Sequence, residues 1–151
     1  VGFTPANWPG VDGKSNYTEK LEVGYRYYDS HNIEFSTGFP FGHGLSYTQF
    51  DYANLAVSGR SISVTITNNG SVAGSEVVQL YLGFPTSAGE PPQQLKGFQK
   101  VALEAGSDST VTFTLTDQDL SVYDVTSHAW QLVSGQFSVH VGSSSRDIRL
   151  K

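Results

Sequence analysis

Two stretches, Ser61-Ile62-Ser63-Val64-Thr65-Ile66-Thr67 and Thr110-Val111-Thr112-Phe113-Thr114-Leu115-Thr116, alternate apolar and hydroxyl side chains without a fault. Successive side chains of a strand point to opposite faces, so each run has one face for a core and one for water. Around them lie further short runs: Phe50, Tyr52, Leu55 and Val57; residues 76–84; residues 95–103; residues 129–133; Phe137, Val139 and Val141; and Ile148 with Leu150. Turn-forming residues separate them every eight to twelve positions, and no long helical period is present. Seven or so short strands spaced in this way predict an all-β, immunoglobulin-like antiparallel sandwich over residues 49–151.

Finer readings follow from the same pattern. Residues 76–84 are apolar on both sides in part, which suits the centre of a sheet. Gly97 divides residues 95–103 into one strand or two. Asn69-Gly70 suits a two-residue hairpin turn, which demands positive φ. Asp117 stands where it could accept from an amide two or three residues on. Trp130, inside an alternating run, is expected in the core.

Upstream the pattern changes. Residues 1–36 are rich in aromatics and poor in periodicity, with a loop over residues 1–13, one helical turn at 16–21 and a strand at 22–29 as expectations. More than half of the aromatics precede position 53, too many for so short a segment to cover by itself, so they need a partner surface. Between the two regions stands Thr37-Gly38-Phe39-Pro40-Phe41-Gly42-His43-Gly44-Leu45-Ser46-Tyr47-Thr48. Its glycines and proline exclude a helix and predict an irregular packed crossing, a structural junction over residues 37–48 carried by Phe39, Pro40, Phe41, Gly42, His43, Gly44 and Tyr47. The His43 ring is expected to bond backbone groups there.

Composition narrows the function. The chain has 151 residues, a net charge of -5 and no cysteine. Nine scattered Lys and Arg do not form a phosphate-binding patch, so nucleic acid is excluded as a partner. Neither a basic amphipathic helix nor an apolar span is present, which argues against a membrane partner. The chain holds no methionine, even at position one, and reads as a piece of something longer. Asn16-Tyr17-Thr18 and Asn69-Gly70-Ser71 fit the N-glycosylation pattern, so Asn16 and Asn69 are acceptor candidates and the chain is expected to be secreted.

No catalytic residue emerges. Asp108, Asp117, Asp119 and Asp124 sit in turns, where capping and solvation account for them. Arg26 and Asp29 read as a half-buried ion pair. His31, His43, His128 and His140 lack metal-ligand spacing, so neither a metal nor a cofactor is expected. No nucleophile elbow is present. Trp8 and Trp130 are the residues that could stack on a sugar ring if exposed.

A resemblance now attaches to particular residues. Asn16-Tyr17-Thr18-Glu19, Val23-Gly24-Tyr25-Arg26-Tyr27-Tyr28-Asp29 and Phe39-Pro40-Phe41-Gly42-His43-Gly44-Leu45-Ser46-Tyr47-Thr48 resemble the C-terminal signature of glycoside hydrolase family 3, which includes secreted β-glucosidases of fungal type. Thr67-Asn68-Asn69-Gly70, Gly74-Ser75-Glu76-Val77-Val78-Gln79-Leu80-Tyr81, Leu95-Lys96-Gly97-Phe98 and Gly142-Ser143-Ser144-Ser145-Arg146-Asp147-Ile148 are similar to that family's fibronectin type III-like domain. Lys20 and Leu21 depart from the family's usual Gly and aromatic or aliphatic pair. The resemblance implies a three-domain retaining enzyme with an Asp nucleophile on a barrel and a Glu acid/base on an α/β sandwich. Both would lie upstream, and no residue here matches either motif.

On this reading residues 1–36 are the end of the α/β sandwich, and the chain braces catalytic domains that act on a β-glucoside. The competing reading is a non-catalytic module binding a polysaccharide or a protein. Exposed aromatics in a row on the sandwich would favour the module, whereas aromatics gathered at the junction and in residues 1–36 would favour the brace.

Overall fold

A computed structural model describes residue 5 and residues 8–34 and 38–151. Among the described residues nine strands follow one short helix: α1 (Tyr25–Ser30), β1 (Phe50–Ser58), β2 (Ser61–Asn68), β3 (Gly74–Gly83), β4 (Gln94–Leu103), β5 (Asp108–Thr114), β6 (Ser121–Asp124), β7 (Ala129–Leu132), β8 (Ser138–Ser144) and β9 (Asp147–Leu150). They form a three-stranded sheet in the order β1-β2-β5, a four-stranded sheet β4-β3-β8-β9 and a two-stranded β6-β7 ribbon. Every pairing is antiparallel. The expected sandwich is the one observed.

The two alternating runs are neighbours. Ile62 stands opposite Phe113 and Val64 opposite Val111, so their apolar faces coincide and both are buried. Across from them pack Val78, Leu80 and Leu82 of β3, Val101 and Leu103 of β4, and Val141 of β8. Each such side chain contributes about 2 kcal/mol by leaving water. β3 lies between β4 and β8, as its composition predicts, and its last six residues are all buried.

Several local expectations give way to tertiary contacts. Residues 94–103 make one strand, because a bulge between Leu80 and Tyr81 in the pairing absorbs Lys96. Gly97 lies under the Phe113 ring, where an added Cβ would come within 2.9 Å. Asn69-Gly70 is no hairpin turn: it belongs to the link from β2 to β3 in the opposite sheet, and neither residue has positive φ. Gly70 is required there by space, since a Cβ would run into Thr48. Asp117 makes no capping bond; Asp119 accepts from the Thr116 amide at 2.8 Å, while Asp117 pairs with Arg60. Trp130 is 53% exposed rather than core, because the β6-β7 ribbon that carries it lies outside both sheets.

The upstream segment also differs. Where a strand is expected over 22–29, α1 begins at Tyr25 and runs to Ser30, directly after Gly24 with φ 63. Residues 18–21 form a turn, not a helical turn of the kind expected over 16–21. In α1, Tyr25 and Asp29 stand four apart and so share a face. That face is the one that meets the sandwich.

Candidate functional site: the strap across the four-stranded sheet

Residues 38–48 run as a strap over the outer face of β3 and β8. The Pro40 carbonyl accepts from the His43 amide at 3.0 Å, and Gly42 has φ 82, a turn geometry that favours glycine. A Cβ on Gly42 would also collide with the Gln79 amide. Gln79, buried on β3, donates to the Gly42 carbonyl at 3.1 Å and to the Ser143 carbonyl, and accepts from the Tyr81 hydroxyl at 2.6 Å. The Ser145 amide donates to the Phe41 carbonyl at 2.9 Å. The His43 ring does not bond backbone groups as expected. It stacks on Phe39, with centroids 4.7 Å apart and planes at 11°, because both side chains lie on the exposed side of the strap.

The helix is fastened beside the strap. Tyr25 stacks on Phe41 at 4.8 Å, meets Tyr81 edge-on at 5.9 Å and accepts from the Leu95 amide at 2.8 Å. Burial pushes the Tyr25 and Tyr81 phenols up. Asp29 does not pair with Arg26. It accepts from Arg146 Nε at 2.8 Å and from Gln93 Nε2 at 3.1 Å, since the helix turns Asp29 toward the sandwich. The Arg26 guanidinium lies 5.9 Å from the Tyr25 centroid instead. Arg146 also donates to the Ile33 carbonyl at 3.1 Å, and Gln93 accepts from His140 Nδ1 at 3.2 Å.

Sequence reasoning found the strap but missed Gln79, Gln93 and Arg146, which hold it and its helix. One signal was available for Gln79: an amide in the middle of the most apolar strand must find buried partners.

Several described side chains of the leading segment and strap are not covered. Trp8, Tyr17, Leu21, Val23, Phe39 and Phe41 are exposed, Leu45 is 92% exposed and Tyr47 fully so. The partner-seeking edge is thus divided: Tyr25 and Asp29 fold back on the sandwich, and the exposed side chains just named face outward. On the sandwich proper the exposed rings are Phe98 and the Tyr123–Trp130 pair, whose rings meet edge-on at 5.6 Å.

Where the strap passes the first half of β3, a groove of about 870 Å³ reaches around the strand, with walls from both sides of the β3-β4 pair and from β1 and β9. Asp51, Tyr52, Glu76, Phe98, Lys100, Asp147 and Arg149 are among its walls. Tyr52 donates to Glu76 Oε1 at 2.7 Å. Burial holds the Glu76 carboxyl above the usual range, opposed by the Tyr52 bond and Arg149. Burial would raise Asp147 too, but bonds from Arg149 and Ser143 hold it below that range. Arg149 donates to both Asp147 oxygens, at 2.7 and 2.8 Å, and Ser143 to one of them at 2.6 Å. A carboxylate so occupied is a poor nucleophile. Among the described residues, no group of three His, Cys, Asp or Glu side chains could hold a metal, and no helix is long and apolar enough to cross a membrane.

Asn16 and Asn69 are both exposed, and Asn69 Nδ2 donates to Asp51 Oδ2 at 2.7 Å.

Two facing antiparallel sheets with a strapped outer face define a fibronectin type III-like module, and the model of the fibronectin type III-like domain matches residues 76–145. With its flanks, the chain belongs with the C-terminal part of the glycoside hydrolase family 3 β-glucosidases. It is 43% identical over 159 residues to the probable β-glucosidase D of Aspergillus flavus, covering 89% of this chain and 21% of that protein. With the thermostable β-glucosidase B of Acetivibrio thermocellus the identity is 45%, covering 96% and 20%. Among solved structures, the β-glucosidase DesR from Streptomyces venezuelae, in complex with D-glucose, superposes with a TM-score of 0.88 at 38% identity, covering 97% of this chain and 19% of that one. The Bifidobacterium adolescentis GH3 β-glucosidase gives 0.88 at 38%, covering 95% and 22%. The chain thus spans about a fifth of the length of the relatives it matches.

Proposed function

We propose that this chain is the C-terminal structural portion of a secreted β-glucosidase, which hydrolyses terminal β-glucosidic bonds with retention and carries its catalytic pair upstream. The partners of the chain are those catalytic domains, and it meets the β-glucoside substrate only through them. Residues 1–36 complete the α/β sandwich, residues 37–48 form the junction and residues 49–151 the brace. Asn16 and Asn69 are glycan acceptors in the secreted protein.

One observation carries this reading: exposed apolar side chains are concentrated on the strap and the leading segment, Leu45 and Tyr47 above all. Exposed apolar side chains gathered along one segment of a chain suit an interface. The strap that presents them is held rigidly by Gln79 and Ser145, as a brace requires. Assay of the chain alone on an aryl β-glucoside tests the reading, with no turnover above buffer expected. Turnover that disappears on changing Glu76 to Gln would put the catalytic acid in this chain and overturn it.

A further inference from the structure

The groove beside the strap has the makings of a ligand site; its walls share Phe41 and Leu45 with the apolar edge that the brace presents. Its volume of about 870 Å³ lies within the ~300–1,000 Å³ usual for small-ligand clefts. Phe98, 69% exposed, and Phe41, 47% exposed, are both among its walls. The walls also carry acceptors from Asp51, Glu76 and Asp147 and donors from Lys100, Arg149 and Gln49.

The charges decide the ligand class. Three carboxylates face two cations, and Arg149 already neutralises Asp147. That leaves Asp51, Glu76 and Lys100, and Asp51 is engaged by Asn69. Such a balance suits neither a polyanion nor a polycation. It suits a neutral molecule that donates and accepts hydrogen bonds at many points and offers flat C–H faces to the rings, a description met by a sugar chain. Tyr52 holds Glu76 Oε1 and leaves the second carboxylate oxygen to accept from a hydroxyl.

We infer that the groove beside the strap binds a short neutral oligosaccharide, with Phe98 as the stacking platform and Glu76 and Lys100 as hydrogen-bonding anchors. This is binding without bond cleavage. The expectation that β-glucans are preferred rests on the β-glucosidase reading above; the binding itself does not.

The test is a titration of the full chain with cellopentaose, xylopentaose, maltopentaose and a penta-galacturonate, followed through backbone amide shifts. Saturable shifts along β3, β4 and residues 41–52 with at least one neutral sugar are expected. Phe98→Ala, whose side chain lies at the surface and whose loss leaves the core intact, should weaken binding about tenfold, the equivalent of ~1.4 kcal/mol. Trp130→Ala, on the separate β6-β7 ribbon, should leave it unchanged. The inference is overturned if no neutral sugar saturates at about 10 mM, an affinity weaker than about 3 kcal/mol. It is overturned equally if binding survives Phe98→Ala, moves to the Tyr123–Trp130 ribbon or favours the galacturonate. Binding of xylan or starch oligomers in preference to cellopentaose would uphold the groove and count against the β-glucan preference alone.

Discussion

Asn68 shows how much one polar side chain can determine. It is fully buried at the end of β2, donates to the Val72 and Leu103 carbonyls at 2.9 and 3.1 Å, and accepts from Thr48 Oγ1 at 2.6 Å and the Gly70 amide at 3.1 Å. It thereby ties the strap, the link to β3 and the end of β4 together. Removing it leaves several buried groups without partners, each costing about 1–3 kcal/mol. Asn68→Ala is therefore expected to destabilise the chain by about 3 kcal/mol, read as a lower urea midpoint at unchanged slope. Glu76 yields a prediction of the opposite kind. Its folded-state carboxyl is raised, so the folded chain binds its proton more tightly than the unfolded chain. The stability this confers is complete below the ordinary carboxylate range and is lost as pH rises through the raised value. Glu76→Gln should flatten the fall in melting temperature that Glu76 causes as pH rises above the ordinary carboxylate range, and a scan of melting temperature against pH measures it. An unchanged slope would mean that Glu76 titrates normally.

The elements differ in how far their sequences reveal them. β2 and β5 were legible because one face of each meets the core and the other meets water, so burial is written into the alternation. Helix α1 was not, because Tyr-Arg-Tyr-Tyr favours a strand by local propensity. What makes it helical is the pairing of Tyr25 with Phe41 and Leu95, and of Asp29 with Arg146, across more than a hundred positions in the second case. Trp130 was misplaced for a related reason: alternation indicates two faces but not whether another sheet covers either. The strap was recognisable from its glycines and prolines, whereas the buried amides that hold it are dispersed over β3 and the loop before β4. The helix contact can be tested directly. Tyr25→Phe keeps the stack on Phe41 and removes the acceptor for the Leu95 amide, at a cost of about 1 kcal/mol. Asp29→Ala strips Arg146 of a largely buried partner and should cost more, about 2 kcal/mol or above. Hydrogen exchange at residues 25–33 should quicken in the second variant while β2 and β5 remain protected. Equal exchange in both variants would mean that the helix is held by other contacts.

At the scale of the whole molecule, the chain is a sandwich with one finished and one unfinished side. The core between the sheets is closed, and Tyr25 with Asp29 seals part of the outer face of β3. Trp8, Tyr17, Leu45 and Tyr47 are left outside, in a chain about a fifth as long as its relatives. If this edge lies against catalytic domains, Leu45→Asp in the full-length enzyme should lower its melting temperature by several degrees, since a buried charge would replace an apolar contact. Glu76→Gln and Asp147→Asn in the same enzyme should leave kcat unchanged, because the reacting carboxylates lie elsewhere. Hydroxyl-radical footprinting of Trp8, Tyr17, Leu45 and Tyr47, performed on the 151-residue chain and on the full-length enzyme, addresses the central claim most directly. The account predicts heavy labelling of all four in the chain alone and protection of Leu45 and Tyr47 in the enzyme. Equal labelling of Leu45 and Tyr47 in both would contradict it.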